Sequence, residues 1–312
     1  MLKENKENTG RLGVIVAHYG VAVDVLFADD NSRTMVRVKR NSGHVVGDNV
    51  EVEAEILTRL ERTSELARMD ARGGIHIVGA NLDILCIVVT CEPIPSPGFI
   101  DRAIVAARAS GHTPVLVLNK SDLACFKDYE KAVRPLYNDS VEIFSISAET
   151  NDNLEELKQF FSKGHRGIFV GSTGVGKSSI LNKFLPEINL ATGEISESKK
   201  RGRHTTTVST LHILEDGGEL VDSPGFNDFG LVDTSVAELA YYFPGFEAAT
   251  ETPCKFRDCK HRNEPGCSVM DALAAGNINR DRYKTYLQIL EEVEAIDLQP
   301  RYRERRSRRK KN

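Results

Sequence analysis

Long apolar runs are missing from this sequence of 312 residues. None approaches the roughly 18 residues that a membrane-spanning helix needs. The first ten residues, MLKENKENTG, are polar and charged, and they lack the apolar core of a secretory signal. We therefore expect a protein without a membrane segment that stays in the cytoplasm and begins with a flexible leader over residues 1–10.

Cysteine is also scarce, with six residues in the whole chain. So few thiols exclude a secreted scaffold that is held together by disulfides. Cys86, Cys91 and Cys125 are predicted to be ordinary thiols. The other three lie within residues 254–267, and such clustering indicates a metal site.

Acidic and basic residues nearly balance, at a net charge of -4, but they are unevenly placed. The last twelve residues, RYRERRSRRKKN, hold eight Lys or Arg and one Glu. A basic tail on an otherwise acidic chain favours a polyanionic partner. In the free protein this tail is expected to be disordered, and such tails often become ordered on binding.

Turn residues and apolar runs divide the chain into several domains, as its length leads us to expect. Residues 11–70 alternate short β-rich runs with glycine, which predicts a small antiparallel barrel of the oligonucleotide-binding (OB) type. The further predicted divisions are a linker at 71–78, an α/β domain at 79–232, a mostly helical zinc-binding domain at 233–298 and the basic tail at 299–312. Basic side chains in and after the barrel strands favour RNA as its ligand: Arg33, Arg37, Lys39, Arg40, Arg59, Arg62, Arg68 and Arg72.

The predicted α/β domain alternates apolar strands with helices, which is typical of a parallel, doubly wound sheet. Strands are predicted at DILCIVVT, PVLVLN, VEIFSIS and RGIFVG, with helices near 98–110, 128–137 and 152–163. In such sheets the ligand lies at the carboxyl ends of the strands. The nucleotide motifs described next all fall at those ends.

A phosphate-binding loop follows the strand GIFV. The segment GSTGVGKSS has the spacing of the Walker A motif, in which glycines let backbone N–H groups surround the phosphates and the lysine neutralises them. The predicted nucleotide-binding residues here are Gly171, Ser172, Thr173, Gly174, Val175, Gly176, Lys177, Ser178 and Ser179.

Two further motifs predict guanine as the base. In NKSD, the Asp122 carboxylate can accept hydrogen bonds from the ring N–H and the exocyclic amine of guanine, a pair of donors that adenine does not present. Asn119, Lys120 and Ser121 complete this loop, and the backbone of Ser147–Ala148 in the segment SISA is predicted to cover the guanine oxygen. NKSD precedes the Walker loop by about fifty residues, which reverses the order of an ordinary GTPase.

The motif DSPG supplies a predicted switch at the third phosphate, with Asp222 for magnesium and Gly225 for a backbone contact to that phosphate. Ser178 is the second predicted magnesium ligand. The third is one threonine of HTTT. Thr206 is favoured, while Thr205 and Thr207 stay open.

The attacking water needs a residue that orients it. Many GTPases place a glutamine just after the switch, but here that position is Phe226, whose side chain makes no hydrogen bond. His204, beside the threonines, is the candidate that orients the water or accepts its proton. The alternative is a solvent-facing loop residue that contacts RNA or nothing.

The cysteine cluster has the spacing Cys-x4-Cys-x-His-x5-Cys. Three thiolates and one imidazole form a complete tetrahedral zinc set without an open position, so one structural zinc ion is predicted. Redox-active thiols are the alternative. The predicted ligands are Cys254, Cys259, His261 and Cys267.

Taken in chain order, these motifs resemble the RsgA family of circularly permuted, ribosome small-subunit-dependent GTPases, from about residue 10 to 300. The resemblance implies an N-terminal OB fold, a permuted P-loop GTPase domain and a C-terminal zinc domain. It also implies late maturation of the small ribosomal subunit as the process, stimulation of GTP hydrolysis by that subunit, and a catalytic role for His204. The expected partners are GTP or GDP with magnesium, and the small subunit with its rRNA, bound by a monomer.

Two other functions fit parts of the pattern. One is an RNA-binding assembly scaffold that uses GTP mainly as a conformational lock, which the complete phosphate and magnesium set disfavours. The other is an ATP-dependent RNA enzyme, which Asp122 argues against. GTP and ATP hydrolysis, measured with and without small subunits, discriminates among the three.

Overall fold

A computed structural model describes residues 10–69, 74–186, 209–223 and 230–309. Its first five strands are antiparallel: β1 pairs with β2 and β4, β2 with β3, and β4 with β5. They enclose a small apolar core of their own, because alternate side chains point inward. The predicted N-terminal barrel is therefore present as a barrel-like region. The strands are β1 Arg11–His18, β2 Ala22–Phe27, β3 Arg33–Arg37, β4 Asn49–Glu53 and β5 Ile56–Arg59.

A hairpin connects the barrel to the α/β region. It consists of β6 Glu65–Met69 and β7 Ile75–Ala80, which pair antiparallel. Strand β7 occupies part of the segment predicted as a linker at 71–78. In the described part of this segment, two paired strands therefore join the end of the barrel to the α/β domain.

The α/β sheet has the strand order β10-β9-β8-β11-β13-β12. The first five strands run parallel, and β12 is antiparallel to β13. Strand β12 also pairs with β1 through Ala17 and Thr210, so the sheet continues into the barrel. The strands are β8 Ile84–Val89, β9 Thr113–Leu118, β10 Glu142–Ser145, β11 Arg166–Val170, β12 Thr210–Ile213 and β13 Glu219–Asp222.

Helices cover both faces of this sheet. Strand β8 is buried on both sides, as its continuous apolar sequence predicts. Its residues Leu85, Ile87 and Val89 pack in the core that contains α1 and α2, and the alternate residues pack in the core that contains α3 and α4. The predicted doubly wound arrangement is confirmed. The helices are α1 Phe99–Ala109, α2 Phe126–Tyr137, α3 Leu154–Ser162 and α4 Lys177–Phe184.

Further helices follow the sheet: α5 Leu239–Tyr242, α6 Glu247–Glu251, α7 Ser268–Ala274, α8 Arg280–Asp297 and α9 Pro300–Arg309. Helix α8 shares an apolar core with α1. Two arginine–carboxylate pairs join the same helices, Arg282 with Asp101 at 3.2 Å and Arg102 with Glu292 at 3.0 Å. The helical region is therefore fixed against the α/β domain by apolar and charged contacts.

Most of the predicted basic tail forms helix α9. Tyr302 is fully buried, and its hydroxyl donates to Met69 Sδ on β6 at 2.7 Å. Arg305 pairs with Asp233 at 2.9 Å. The expectation of a disordered tail is therefore wrong for 300–309, because one aromatic and one arginine side chain anchor the helix to the body of the protein.

None of the helices in these ranges combines the length and the apolarity that crossing a membrane would require.

Candidate functional site

Five strand ends meet at one edge of the α/β sheet. Because β10, β9, β8, β11 and β13 are parallel neighbours, their carboxyl ends share this edge. The loops that follow them carry the predicted guanine box, Ser147–Ala148 and the Walker loop, and Asp222 is the last residue of β13. The topology therefore brings together motifs that are spread over about a hundred residues of sequence.

The Walker loop lies directly against the neighbouring strand ends. Gly171 and Gly176 have φ angles of 152° and 97°, in the region that favours glycine. A Cβ atom on Gly171 would collide with the carbonyl oxygen of Val88, and one on Gly176 would collide with the amide of Asn119. Both glycines thus allow the phosphate loop to approach β8 and the guanine box closely.

Lys177 is the first residue of α4, and its ammonium group folds back over the loop. Its Nζ donates to the carbonyl oxygens of Gly171 at 2.6 Å and Ser172 at 3.0 Å. Burial lowers the pKa of Lys177, and the negative charge of Asp222 opposes this shift. Ser178 and Ser179 follow in the first helical turn, where they are half-buried.

Asp222 ends β13 and faces the charge of Lys177. Burial raises the pKa of the Asp222 carboxyl group, while Lys177 lowers it. A carboxylate oxygen and a serine hydroxyl at the rim of a phosphate loop are donors that Mg²⁺ prefers. Asp222 and Ser178 therefore fit a magnesium site by their chemistry.

Asn119 joins three of the loops. Its side chain is buried, and its Nδ2 donates to the carbonyl oxygen of Val175 in the Walker loop at 2.8 Å. Its Oδ1 accepts from the backbone N–H of Ala148 at 3.1 Å. The side chain therefore fixes the guanine box against both the phosphate loop and the loop after β10.

Asp122 is exposed, and its Oδ1 accepts a hydrogen bond from the Ser147 hydroxyl at 2.5 Å. This contact orients the carboxylate that is predicted to bind the base. The backbone N–H groups of Ser147 and Ala148 donate to the Asp152 carbonyl and to Asn119. Both amides are thus engaged within the protein, and their contact with the guanine oxygen stays a prediction.

Lys120 lies at the other side of the guanine box. Its φ angle is 65°, and its Nζ donates to the carbonyl oxygen of Glu92 at 2.8 Å. The backbone N–H of Ser121 donates to the Ile146 carbonyl at 3.0 Å. The loop is therefore held by the segments that follow β8 and β10.

The cysteine cluster forms a compact metal-binding geometry. One ligand atom from each of Cys254, Cys259, His261 and Cys267 lies within 4.8 Å of the others. His261 Nδ1 is 3.5, 3.7 and 3.3 Å from the three sulfurs, and the Cys254 and Cys267 sulfurs are 3.9 Å apart. A tetrahedral zinc ion, with Zn–S about 2.3 Å and Zn–N about 2.0 Å, requires edges of about 3.8 Å between sulfurs and about 3.5 Å from nitrogen to sulfur. The donor set and its spacing fit zinc.

Aromatic residues of α8 support this cluster from outside. The Tyr283 hydroxyl donates to the carbonyl oxygen of His261 at 2.7 Å, and Tyr286 donates to that of Lys260 at 3.2 Å. Cys267 caps α7 by accepting from the Met270 N–H at 3.5 Å. The ligand loop is therefore coupled to two helices, which suits a structural metal.

Comparison with known proteins identifies the family. The family model described as RsgA GTPase matches residues 59–232. The chain belongs to the RsgA GTPase family. The predicted family, GTPase class and fold class are confirmed.

Relatives in this family match nearly the whole chain. A protein of Chromohalobacter salexigens named small ribosomal subunit biogenesis GTPase RsgA is 38% identical over 293 residues, which cover 90% of this chain and 86% of the relative. One of the same name from Actinobacillus pleuropneumoniae is 34% identical, covering 93% and 88%.

Solved structures agree with the fold. YjeQ from Thermotoga maritima matches with a TM-score of 0.74 and 31% identity, covering 91% of this chain and 99% of that one. YloQ, described as a circularly permuted GTPase, matches with a TM-score of 0.69 and 26% identity, covering 96% and 99%.

Several predicted site residues lie outside the described ranges. They are the candidate catalytic residue, the candidate magnesium threonines, the switch glycine and the phenylalanine after it: His204, Thr205, Thr206, Thr207, Gly225 and Phe226. Their roles stay predictions.

One of the arginines that favoured RNA binding is used inside the barrel. The Arg62 side chain is 7% exposed and pairs with the fully buried Asp48 at 2.5 Å and with Glu65 at 2.8 Å. Its prediction as an RNA-facing residue is therefore wrong, because burial and two carboxylates satisfy its guanidinium. Arg33, Arg37, Lys39, Arg40, Arg59 and Arg68 are exposed, and Arg72 lies outside the described ranges.

The cysteines near the nucleotide motifs also differ from expectation. Cys91 and Cys125 form a disulfide, so their prediction as ordinary thiols is wrong. Cys86 is a buried thiol whose pKa is raised by desolvation. The missed signal was positional: Cys91 follows β8 and Cys125 follows the guanine box after β9, and these strands are neighbours.

Proposed function

We propose that this protein hydrolyses GTP during maturation of the small ribosomal subunit and that the subunit stimulates the hydrolysis. The observation that carries the proposal is the convergence of the Walker loop and the guanine box at one sheet edge. The hydrogen bonds of Asn119 to Val175 and Ala148 join the two motifs. The names of the relatives support the small subunit as the partner.

The nucleotide is assigned to the loops in the following way. Backbone N–H groups from Gly171 to Ser179 and the ammonium of Lys177 bind the phosphates, as in other P-loop proteins. Asp122 selects guanine, and Asn119 with Lys120 holds its loop. Exposure of Asp122 and its fixation by Ser147 support this assignment.

Magnesium is assigned to Ser178, Asp222 and Thr206. When bound, it neutralises charge on the outer phosphates. We assign the orientation of the attacking water to His204 and the switch contact to Gly225, on the basis of motif position alone. The Asp222 carboxylate faces the charge of Lys177 at the phosphate loop, which supports Asp222 as a ligand, and the place of Ser178 in the first turn of α4 supports the serine.

The zinc ion is assigned a structural role at Cys254, Cys259, His261 and Cys267. All four positions of a tetrahedron are taken by protein atoms, so no position is left for a substrate. The measured ligand spacing supports zinc over redox-active thiols.

The proposed docking surfaces are the exposed basic side chains of the barrel and the zinc loop, together with the arginine-rich segment that forms helix α9. Arg33, Arg37, Lys39 and Arg40 lie on the barrel, and Lys255 and Arg257 lie exposed beside the zinc ligands. Phosphate contacts of this kind weaken steeply with salt. We also propose a monomer that acts in the cytoplasm.

The decisive experiment measures GTP and ATP hydrolysis by the full chain, with and without purified small ribosomal subunits. We expect hydrolysis of GTP over ATP and an increase when subunits are added. The Asp122→Ala variant should lose most of the preference for GTP, while Asp128→Ala, on the exposed side of the following helix, should keep it. GTP binding without hydrolysis in the presence of subunits would favour a scaffold and overturn the proposal.

The role of His204 needs its own variant. His204→Ala should keep GTP affinity near that of the natural protein and lower turnover on the subunit. His212→Ala, in strand β12, is the matched histidine control and should retain turnover. Unchanged turnover of His204→Ala would remove this residue from the mechanism.

A further inference from the structure

A disulfide joins two loops at the nucleotide edge of the sheet. Cys91 lies two residues after the end of β8, and Cys125 lies three residues after Asp122, at the start of α2. Their Cα atoms are 6.0 Å apart. This separation is ordinary for a disulfide, so the loops need no rearrangement for the bond to form.

The two half-cystines differ in accessibility. Cys91 is 6% exposed, whereas Cys125 is exposed. Thiol–disulfide exchange needs one sulfur that an incoming thiolate can reach. Because Cys125 is the more exposed of the two residues, we assign it as the one that an incoming thiolate attacks, and Cys91 as the partner held within the protein.

The segment that carries Cys91 contacts both halves of the nucleotide site. The Glu92 carbonyl accepts from Lys120 Nζ of the guanine box at 2.8 Å. Pro93 lies beside the Walker loop, since its Cδ would be 3.7 Å from a Cβ built on Gly174. The disulfide therefore ties a segment that touches the base loop and the phosphate loop to the residue that follows the base loop.

The proposed compartment makes a permanent structural bond unexpected. Thiols in the cytoplasm are kept reduced, and disulfides found there are usually transient. Three other cysteines are assigned to zinc, and Cys86 lies within β8. Among the described residues, Cys91 and Cys125 are the two cysteines placed to pair with each other.

We propose that Cys91 and Cys125 form a reversible oxidation site that controls how tightly the guanine nucleotide is held. The inference rests on the nucleotide site assigned above. With the bond formed, the guanine box and the 90–93 segment are ordered before the nucleotide arrives, so binding costs less ordering. With the bond reduced, both loops lose this constraint and the nucleotide dissociates faster.

The oxidant belongs to the class of small disulfides, such as oxidised glutathione. One protein thiolate attacks the small disulfide, forms a mixed disulfide and releases one small thiol. The second protein thiol then displaces the other small thiol and closes the Cys91–Cys125 bond. Overall the protein loses two electrons and two protons, and the small disulfide becomes two thiols.

The test uses the full chain, equilibrated at several ratios of oxidised to reduced glutathione. Alkylation followed by mass measurement gives the fraction with the Cys91–Cys125 bond, and calorimetry with GDP gives the affinity. We expect the bonded form to bind GDP about fivefold more tightly than the reduced form, in line with the effect of preorganised loops. Cys91→Ser and Cys125→Ser should bind like the reduced protein at every ratio.

Two controls separate this site from the other thiols. Cys86→Ala should keep the full response to the glutathione ratio. Zinc content is measured in every sample, so that oxidation of the zinc cysteines is detected as loss of zinc.

Three results would overturn the proposal. They are equal GDP affinity with and without the verified bond, a change of GDP affinity with the glutathione ratio in both serine variants that equals that of the natural protein, and no Cys91–Cys125 bond at the most oxidising ratio. Failure of the nucleotide assignment looks different, since GDP would then bind in neither state while the mass measurement still reports the bond.

Discussion

The zinc cluster and the nucleotide site are assembled in opposite ways. All four zinc ligands lie within the fourteen residues from Cys254 to Cys267, so one loop and its two flanking helices determine the cluster. The nucleotide site takes its residues from the ends of four parallel strands, between Asn119 and Asp222. The first site depends on local spacing and the second on sheet topology, so loss of one site should leave the other intact.

The largest loss of stability is expected when one ligand of the zinc cluster is removed. Cys259→Ala removes one of four zinc ligands, and structural zinc sites contribute on the order of 10 kcal/mol to folding of their domain. We expect zinc content to fall from one ion per chain to none and the helical region to unfold at a lower temperature. GTP affinity should change less than about twofold because the strand ends are untouched.

Metal analysis, thermal unfolding and nucleotide titration of Cys259→Ala together check this expectation. Cys86→Ala is the control and should retain one zinc ion. Loss of GTP binding in parallel with zinc would show that the two regions are not independent.

The next largest loss of stability is expected at the contact between α8 and α1, which joins the helical region to the α/β domain. Arg282 on α8 pairs with the buried Asp101 on α1 and also donates to the carbonyl oxygens of Pro244 and Leu136, both at 2.6 Å. Arg282→Ala leaves the Asp101 carboxylate buried with less compensation, which costs about 3 kcal/mol of unfolding free energy. Urea unfolding measures this loss.

Acid should reduce the cost of Arg282→Ala. Burial already raises the pKa of Asp101, whereas Arg282 and Tyr137 lower it, so the pKa rises further without Arg282. Below that pKa the carboxyl group is neutral and needs no cation, and the variant's deficit should shrink. Arg280→Ala, at an exposed position on the same helix, is the control, and a deficit independent of pH would contradict the charge argument.

A third substitution should disrupt the nucleotide site and leave the zinc cluster intact. Lys177→Ala removes the ammonium group that lies over the phosphate loop, and contacts to charged groups contribute about 1.5–3 kcal/mol each. We expect GTP affinity to fall on the order of 100-fold while zinc content stays at one per chain. Lys183→Ala, in the last turn of the same helix, should bind GTP normally.

The smallest effect is expected at helix α9. Arg305→Ala removes the pair with Asp233, a carboxylate that also accepts from the Ser110 hydroxyl at 3.4 Å, and should lower the unfolding free energy by about 1.5 kcal/mol. Neither zinc content nor GTP affinity should change. Ser307→Ala, at an exposed position of the helix, should have no measurable effect on urea unfolding.

The same contrast explains what could be predicted from the sequence. The zinc ligands could be assigned from their spacing because all four lie close together in the sequence: Cys254, Cys259, His261 and Cys267. The nucleotide loops could be placed at one edge because apolar strands alternate with helices, which predicts a parallel sheet. The order of those strands could then be inferred only through the resemblance to a permuted family.

Contacts between distant segments could not be predicted. The pairing of Cys91 with Cys125 depends on β8 and β9 being neighbours, and the burial of Arg62 depends on the approach of Asp48. Helix α9 was expected to be disordered because its charges dominate its composition. Among the described side chains of this helix, Tyr302 supplies the apolar anchor and Arg305 the charged one, and a single aromatic residue gives no recognisable pattern.

The pairing of β12 with β1 has a consequence for solubility. Without the barrel, β12 would leave one row of backbone donors and acceptors open at the end of the sheet, where a second copy could add its own strand. The pairing of Thr210 with Ala17 of β1 covers the start of β12, and the sheet continues to the edge strands β3 and β5, which are both short. Strand β3 begins and ends with the exposed Arg33 and Arg37. Charged residues on a short edge repel another sheet. We therefore expect the N-terminal region to reduce edge-to-edge association of the GTPase sheet.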